Sequence, residues 1–345
     1  MNRWILTAIS FAAVLGVSVY AVRSGAPEGI NLAIPPEAHL LAFLAFAAEV
    51  GFRSFKLTST AKAVRTYMSF GTAFRTSLGG DFAAAITPAR VGAEPARYLI
   101  LAQAGMPAVD TMVVLYLELF LEMISIATVA FVIALLFDAS NRAFVTMVSV
   151  VGVYASFVLG VGFLGYLLSR ANYGSEVPAW ARRLRLHGKR WEVVQRWGER
   201  IKVTVEAFRG MRLGWASVSL LASIAHVAVR FTILPMLVYL MTDRMVPVAP
   251  LVVWPLGIIY GAGLLPAPGG GGAVELAFRA ALGGTLPAAV FGAALVWWRF
   301  YTFYLYIAVG ALVAGNTALR AIREVEEVEQ EIENELRDTK VVGEG

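Results

Sequence analysis

The stretch Leu264-Leu-Pro-Ala-Pro-Gly-Gly-Gly-Gly-Ala-Val-Glu-Leu-Ala-Phe-Arg279 lies between two strongly apolar segments near the C-terminal end of the chain. Pro266, Pro268 and the four glycines that follow them cannot continue a helix. Glu275 and Arg279 come next, spaced i,i+4 on one face of the helix that restarts there. At membrane depth, backbone is non-helical only where protein covers it or where it lines a water-filled cavity. The stretch therefore predicts a cavity wall within a membrane rather than a lipid-facing span.

A shorter version of this pattern occurs in the first half of the chain, as Thr87-Pro-Ala-Arg-Val-Gly-Ala-Glu-Pro-Ala-Arg97. A proline is again followed by a glycine, by Glu94 and, three residues later, by Arg97. Since Pro95 disfavours the α conformation at Glu94, we expect a helix to begin at Pro95. Two broken elements in opposite halves predict an internal repeat, and repeats with broken membrane helices are typical of transporters.

The composition restricts the class of protein. Of the 345 residues, 58% are apolar and only 15% are charged, and the mean hydropathy is +0.68. These values predict an integral membrane protein and exclude the ordinary soluble classes. The chain has no cysteine and only three scattered histidines, so we expect neither a disulfide, a transition-metal site nor another cofactor.

Alternating apolar and polar segments predict one membrane domain over residues 1–316 and an acidic amphipathic tail over 317–345. Unbroken spans are predicted at 4–22, 38–58, 107–137, 143–168, 214–241 and 286–316. Residues 66–105 and 248–283 are too interrupted for clean crossings, so we interpret each as a re-entrant helical hairpin. The two repeats then cover about 38–137 and 214–316. In the tail, a short surface helix and a coiled-coil contact are both open interpretations.

Basic residues predict the orientation of the chain in the cell inner (plasma) membrane. Arg3 precedes the first span, whereas the loop Ser24–Glu37 has no lysine or arginine, so we expect a cytoplasmic N-terminus. A cleaved signal peptide is the alternative for this span. Lys56, Lys62 and Arg65 are interpreted as markers of the cytoplasmic end of the second span.

The basic segment 170–212 has eleven Lys/Arg against four Glu. It is interpreted as a cytoplasmic amphipathic helix with its tryptophans at the membrane interface, and basic charge beside membrane spans does not indicate nucleic-acid binding. With this topology the spans 38–58 and 214–241 cross in opposite directions. The predicted fold class is therefore all-α integral membrane, an inverted-topology repeat whose two broken hairpins meet near the midplane.

Charged residues at membrane depth are the candidate site, because each costs about 2.5–3.5 kcal/mol at a helix centre unless it is paired or faces a cavity. The candidates for substrate binding are Arg90, Glu94, Arg97, Glu118, Glu122, Gly270, Gly271, Glu275, Arg279 and Arg299. Asp81 and Arg230 are further intramembrane charges, and Glu49 with Arg53 is interpreted as an ion pair that stabilises a helix. The alternative is that acids and bases only hold helices together, and that the glycines only allow close packing.

Opposed helix N-termini with arginines form a site for an anion such as a lipid phosphate. Gly269–Gly272 would let the backbone approach the headgroup closely. We expect Glu94, Arg97, Glu275, Arg279 and Arg299 to line one polar cavity, with the arginines contacting the headgroup phosphate. The glutamates would hold the arginines when no lipid is bound, or accept a headgroup amine.

These motifs resemble the flippase-like membrane domain of lysylphosphatidylglycerol synthases and its stand-alone relatives. The resemblance rests on the stretches 87–97 and 266–275 and on Val296-Trp-Trp-Arg-Phe-Tyr-Thr302, and it spans most of residues 1–316. It implies translocation of a phospholipid or lipid-linked headgroup between leaflets.

Two departures from the family pattern limit what the resemblance implies. The family has Glu-Arg-x-x-Asp where this chain has Glu118, Leu119 and Glu122, so the headgroup preference of the family does not transfer directly. No soluble aminoacyl-transferase domain follows in this sequence, so we expect that the chain does not itself make aminoacylated lipid.

The predicted function is therefore that of a lipid transporter in preference to an enzyme, with anionic-headgroup lipids as partners. An integral membrane transferase with Glu94 or Glu275 as general base is one alternative. An ion- or proton-coupled small-molecule transporter is another. A homo-oligomer is also an open interpretation.

Overall fold

The computed structural model describes residues 16–24, 31–87, 90–136, 141–170, 189–262, 271–320 and 323, and it is helical with no strand in these ranges. The helices in chain order are α1 (16–24), α2 (Pro36–Ala63), α3 (Phe70–Ile86), α4 (Ala93–Gln103), α5 (Ala108–Leu136), α6 (Asn141–Arg170), α7 (Lys189–Arg209), α8 (Leu213–Met241), α9 (Val248–Ala262), α10 (Ala273–Leu282) and α11 (Ala288–Arg320). Within α11, Phe300–Tyr304 is π-helical.

Four helical stretches are long and apolar enough to cross a membrane: α5, residues Val151–Arg170 of α6, α8 and α11. Together with the absence of strands in the described ranges, they confirm the prediction of an all-α integral membrane protein. Helix α2 is equally long, at 28 residues. It has charged residues near its middle, at 49, 53 and 56, and it is not among the four.

Local chemistry explains where the helices of the first half begin and end. Helix α2 starts at Pro36, where a missing N–H is harmless, and the chain turns away through Arg65 in the left-handed region, at φ 64°. The Ser69 side chain caps α3 by accepting a hydrogen bond from the Thr72 N–H at 3.1 Å. Helix α4 begins at Ala93, not at Pro95 as predicted. Pro95 is tolerated there because first-turn N–H groups have no intrahelical partner.

Helices α2 and α8 pack side by side along their length and run antiparallel. The Thr60 hydroxyl lies 2.7 Å from the Ser219 hydroxyl, whereas Glu49 lies beside Arg230 at the other end of the pair. Further along, Ala42 belongs to the same buried apolar cluster as Leu237. The predicted spans 38–58 and 214–241 thus have opposite directions, as expected.

In each half, two neighbouring helices lie where the sequence predicts a broken hairpin, and residues 88–89 and 263–270 within these segments lie outside the described residues. Helix α3 packs against α4, and α9 packs against α10. The described lengths are 17 and 11 residues in the first pair and 15 and 10 in the second. Helices α3, α4 and α10 are shorter than the ~20 residues that a complete crossing needs. Their re-entrant placement and the two-fold relation between the pairs stay predictions.

The basic segment folds onto the bundle through α7, which packs against α5 and α6. Trp191 is only 3% exposed, so this side chain packs inside the protein and not at a lipid interface as predicted. Trp180 lies outside the described residues, as does the tail beyond Arg320 except for residue 323.

Candidate functional site

A row of buried charges on α2 is the foundation of the candidate site. Glu49, Arg53 and Lys56 are spaced by four and three residues, which places them on one face of the helix. Their exposures are 0%, 4% and 0%. Charges this deeply buried need partners, and neighbouring helices supply them in two groups, which we call the first arm and the second arm.

The first arm is centred on Glu49. Its Oε2 accepts a hydrogen bond of 2.7 Å from the Tyr306 hydroxyl of α11. Its Oε1 lies 3.5 Å from Arg53 Nη1, 3.5 Å from His226 Nδ1 and 3.8 Å from Arg230 Nη1. Three nitrogen-bearing side chains therefore converge on one carboxylate oxygen.

Arg53 extends the first arm to the break between α3 and α4. Its Nη2 donates to Asp81 Oδ2 at 2.7 Å and to the carbonyl oxygen of Ser77 at 3.0 Å. On the far side of Asp81, Arg90 Nη2 lies 3.9 Å from Oδ1. The Arg90 side chain is 44% exposed, and its backbone is left-handed, with φ 60°. Arg90 is therefore the outer end of this arm.

The second arm is centred on Lys56. The Nζ atom lies 2.9 Å from Glu118 Oε1 and 3.1 Å from Glu122 Oε2, both on α5. Arg97 Nη1 donates to the other oxygen of Glu118 at 2.8 Å and lies 3.4 Å from Glu94 Oε1. Lys56 is thus not a surface marker of a membrane end, because two carboxylates hold it inside the bundle.

Gly80 makes the position of Arg97 possible. A Cβ atom at residue 80 would lie 2.6 Å from Arg97 Nε and 2.8 Å from Arg97 Cγ. Only a residue without a side chain lets the guanidinium of α4 cross this close to α3.

The two arms carry opposite net charge. In the first arm, Arg53, Arg90 and Arg230 face two carboxylates, whereas in the second, Lys56 and Arg97 face three. The five carboxylates and five cations balance when His226 is uncharged. The excess positive charge therefore lies in the arm that ends at exposed Arg90.

A separate buried pair lies in the second half of the chain. Arg299 Nε donates to Glu275 Oε1 at 2.9 Å, and both residues are buried. The Arg299 guanidinium also lies 4.2 Å from the ring centroid of Phe303, in the π-helical part of α11. π-Helical turns are frequent at functional sites.

Three arginines each keep one nitrogen without a hydrogen-bond partner among the described residues. Arg97 and Arg230 leave Nε unused, and Arg299 leaves Nη2 unused, although each is held by a glutamate through another nitrogen. Buried guanidinium nitrogens are normally paired. An acceptor such as a phosphate oxygen would satisfy these donors.

The structure brings some of the predicted site residues together and keeps others apart. Arg90 lies in the first arm and Glu94, Arg97, Glu118 and Glu122 in the second, whereas Glu275 and Arg299 form the separate pair. Arg279 lies 5.4 Å over the Tyr20 ring. Gly271 is in the turn before α10, and Gly270 lies outside the described residues. Over the described ranges, no ion pair joins the Glu275–Arg299 pair to either arm. The common cavity therefore stays a prediction.

Sequence reasoning missed the central members of the first arm. Glu49 and Arg53 do form the predicted i,i+4 pair, but both also bind partners on other helices. Two spacings in the sequence could have indicated this arm: Glu49, Arg53 and Lys56 on α2, and His226 and Arg230 on α8. Each places charges on one face of an otherwise apolar helix.

An apolar groove of about 610 Å³ lies between helices of the bundle, and no residue of either arm lines it. Helices α2, α5, α8 and α9 line it with side chains such as Leu41, Val132, Phe231, Met236 and Val252. On α8 these residues are on the face opposite His226 and Arg230, given about 100° per residue. The groove offers a hydrocarbon-lined surface, because the hydroxyls of Thr128, Thr232 and Tyr239, which also line it, donate to backbone carbonyl oxygens.

In the part of the chain that the structure describes, no group of three or more histidine or acidic residues is arranged to hold a metal ion.

The chain matches the family described as "Lysylphosphatidylglycerol synthase TM region" over residues 4–310. This match covers most of the chain and places it among membrane domains associated with the handling of that lipid. No curated protein matches the chain.

Proposed function

This chain belongs to the family of the lysylphosphatidylglycerol synthase transmembrane region, and we propose on that premise that it moves a phospholipid or lipid-linked anionic headgroup between leaflets. The free nitrogens of Arg97, Arg230 and Arg299 carry this proposal. A lipid phosphate offers several oxygens to such donors, and guanidinium–phosphate hydrogen bonds are short, charge-assisted and often bidentate.

The distribution of charge supports an anionic headgroup. The first arm has one more cation than carboxylate, and its outer cation, Arg90, is the most exposed of the group. An approaching phosphate would meet Arg90 first and then the buried arginines. The apolar groove, on the face of α8 opposite Arg230, offers acyl chains a hydrocarbon surface separate from the headgroup site.

We also propose that the two halves are inverted repeats with re-entrant hairpins, in a plasma membrane with the N-terminus cytoplasmic. The antiparallel packing of α2 on α8 and the short helices of both pairs support this arrangement. Because the chain has no cysteine, single cysteines report topology cleanly. We expect Glu28→Cys to react with an impermeant thiol reagent in intact cells and Arg190→Cys to react only after lysis. Ready labelling of Arg190→Cys in intact cells would contradict the orientation.

Lipid movement is tested with purified protein in phosphatidylcholine vesicles that contain a trace of NBD-labelled phosphatidylglycerol. Dithionite quenches only the outer leaflet, so protein-dependent movement increases the quenched fraction above that of empty vesicles. We expect faster movement of NBD-phosphatidylglycerol than of NBD-phosphatidylcholine. Equal rates of both in protein-containing and empty vesicles would refute the proposed function.

Arg97→Gln is the matching variant. We expect it to slow NBD-phosphatidylglycerol movement by about tenfold or more, since a hydrogen bond to a charged group contributes about 1.5–3 kcal/mol. Arg75→Gln is the control, because Arg75 donates only to the carbonyl oxygen of Val313 and has no carboxylate partner in the described ranges. A slow Arg75→Gln variant would indicate a nonspecific effect of losing an arginine.

A further inference from the structure

The imidazole of His226 is buried beside Glu49 without a hydrogen bond to either ring nitrogen in the described part of the chain. Its exposure is 1%, and that of Glu49 is 0%. Glu49 Oε1, which lies 3.5 Å from His226 Nδ1, has no hydrogen-bond partner there either. Two buried groups that exchange protons in water thus face each other with unused hydrogen-bonding capacity.

Buried polar atoms are nearly always hydrogen-bonded, so each exception needs a physical explanation. Histidine and carboxylate side chains inside membrane proteins are typical of proton pathways. A proton on Nδ1 would let the imidazole donate a hydrogen bond to Glu49 Oε1. That bond would satisfy both of these unpaired atoms at once.

The charge of the network indicates when such a proton is needed. The two arms together hold five carboxylates and five cations, which balance while His226 is uncharged. A bound phosphodiester adds one negative charge to this buried set. One proton on His226 restores the balance, and in a medium of low polarity an unbalanced charge is costly.

We propose that His226 and Glu49 form a proton-binding site whose occupancy accompanies an anionic headgroup through the protein. The cargo in this inference rests on the proposed function, whereas the proton site itself does not. One proton binds an imidazole nitrogen when the headgroup enters, and it is released when the headgroup leaves.

The geometry also supplies a link between the proton and the headgroup. Arg230 Nη1 lies 3.8 Å from the same Glu49 oxygen that His226 approaches at 3.5 Å. A protonated His226 competes for that oxygen and weakens the hold on Arg230. Arg230 then remains tied to the Thr302 carbonyl oxygen in the π-helical segment, with its Nε free for a phosphate.

The groups that act on this site come from every surrounding helix. From α2 there are Arg53 and Lys56, from α5 Glu122, from α9 Tyr260, from α11 Tyr306 and from α8 itself Arg230. Arg53 and Arg230 act on Glu49 by their charge and Tyr306 by its hydrogen bond. Tyr260 acts on Arg230. Lys56 and Glu122 act directly on His226, with charges of opposite sign.

The transport test uses phosphatidylcholine vesicles with NBD-phosphatidylglycerol and an internal pH dye. With one proton per lipid, an imposed gradient of one pH unit is expected to redistribute the lipid by up to about tenfold. His226→Gln should lose both this response and the lipid-dependent proton movement. Ser223→Ala, one turn earlier on α8 and equally buried, should behave as the unmodified protein. The proposal is overturned if the unmodified protein moves lipid without responding to the gradient, or if His226→Gln still responds.

A second measurement judges the proton site without transport. The chain has three histidines, so ¹⁵N-imidazole spectra of the protein in nanodiscs can be assigned with His39→Gln and His187→Gln. We expect His226 to titrate, and to bind its proton at higher pH in phosphatidylglycerol than in phosphatidylcholine nanodiscs, because binding of the two partners is reciprocal. A His226 signal that does not titrate, or that ignores the lipid, overturns the proposal. If NBD-phosphatidylglycerol never moves in vesicles but His226 titrates with this lipid dependence, the proposed transport fails and the proton site stands.

Discussion

The second arm and the Glu275–Arg299 pair each join a short helix of a broken motif to the next long helix by an ion pair, but with acid and base exchanged. In the first half, a base of the motif helix, Arg97 on α4, bridges to an acid of the next long helix, Glu118 on α5. In the second half, an acid of the motif helix, Glu275 on α10, bridges to a base of the next long helix, Arg299 on α11. The motifs resemble each other in sequence, but the charges that cross between helices are exchanged.

The two bridges also differ in how many partners they have. Glu118 is shared between Arg97 and Lys56, whereas Arg299 has Glu275 as its ion-pair partner among the described residues. A shared carboxylate can keep one partner when it releases the other. A single pair has no such reserve, so the second half should tolerate the loss of one charge less well than the first.

The largest effect is expected from Glu275→Gln. It leaves Arg299 buried without its carboxylate, and an arginine cannot discard its charge. We expect a loss of about 3–5 kcal/mol in unfolding free energy, the usual result of breaking a buried pair from one side. Thermal unfolding in detergent measures the stability change, and the vesicle assay measures transport.

Arg299→Ala removes the cation of the same pair and leaves the carboxylate of Glu275 without its partner. It should be less destabilising than Glu275→Gln, because a buried glutamate can take up a proton. Lipid movement should nevertheless be lost, since the donor Nη2 disappears. If both variants move lipid at the rate of the unmodified protein, the pair is purely structural.

An intermediate effect is expected from Lys56→Met in the second arm. Glu118 keeps Arg97, so only Glu122 loses its cation, and we expect a destabilisation of about 1–3 kcal/mol. The double variant Lys56→Met/Glu122→Gln should recover part of that loss in a double-mutant cycle. Lys62→Met is the control, because exposed Lys62 contacts only the Trp215 ring among the interactions seen for its ammonium. A loss from Lys56→Met as large as that from Glu275→Gln would break the comparison.

The smallest effect is expected from Gly80→Ala. The new Cβ would lie 2.6 Å from Arg97 Nε, so the flexible arginine must move and the bridge to Glu118 lengthens. We expect a destabilisation of about 1 kcal/mol, at the lower end for overpacking, with a clear slowing of lipid movement. Gly71→Ala on the same helix meets no atom closer than 3.9 Å and should change neither. Equal behaviour of both variants would mean that the position of Arg97 does not matter.

The sequence predicted the helices of the backbone better than it predicted the pairing of charges in the candidate site. Apolar runs, prolines and glycines located the long helices α5, α6, α8 and α11 within a few residues, because helix continuation is a local property. The non-helical backbone at residue 87 and the turn at 90–92 followed from Pro88 and Gly92 in the sequence for the same reason. Here the pattern of residue types was sufficient.

The pairing of the charges depended on the tertiary structure. The sequence marked Glu94, Arg97, Glu118 and Glu122 as intramembrane charges, but it gave no indication that Lys56 joins them. Lysine near the end of an apolar run has the same local pattern whether it is solvated or enclosed. Only the packing of α2 against α5 and α8 decides which, because the partner of a buried charge comes from a distant part of the chain.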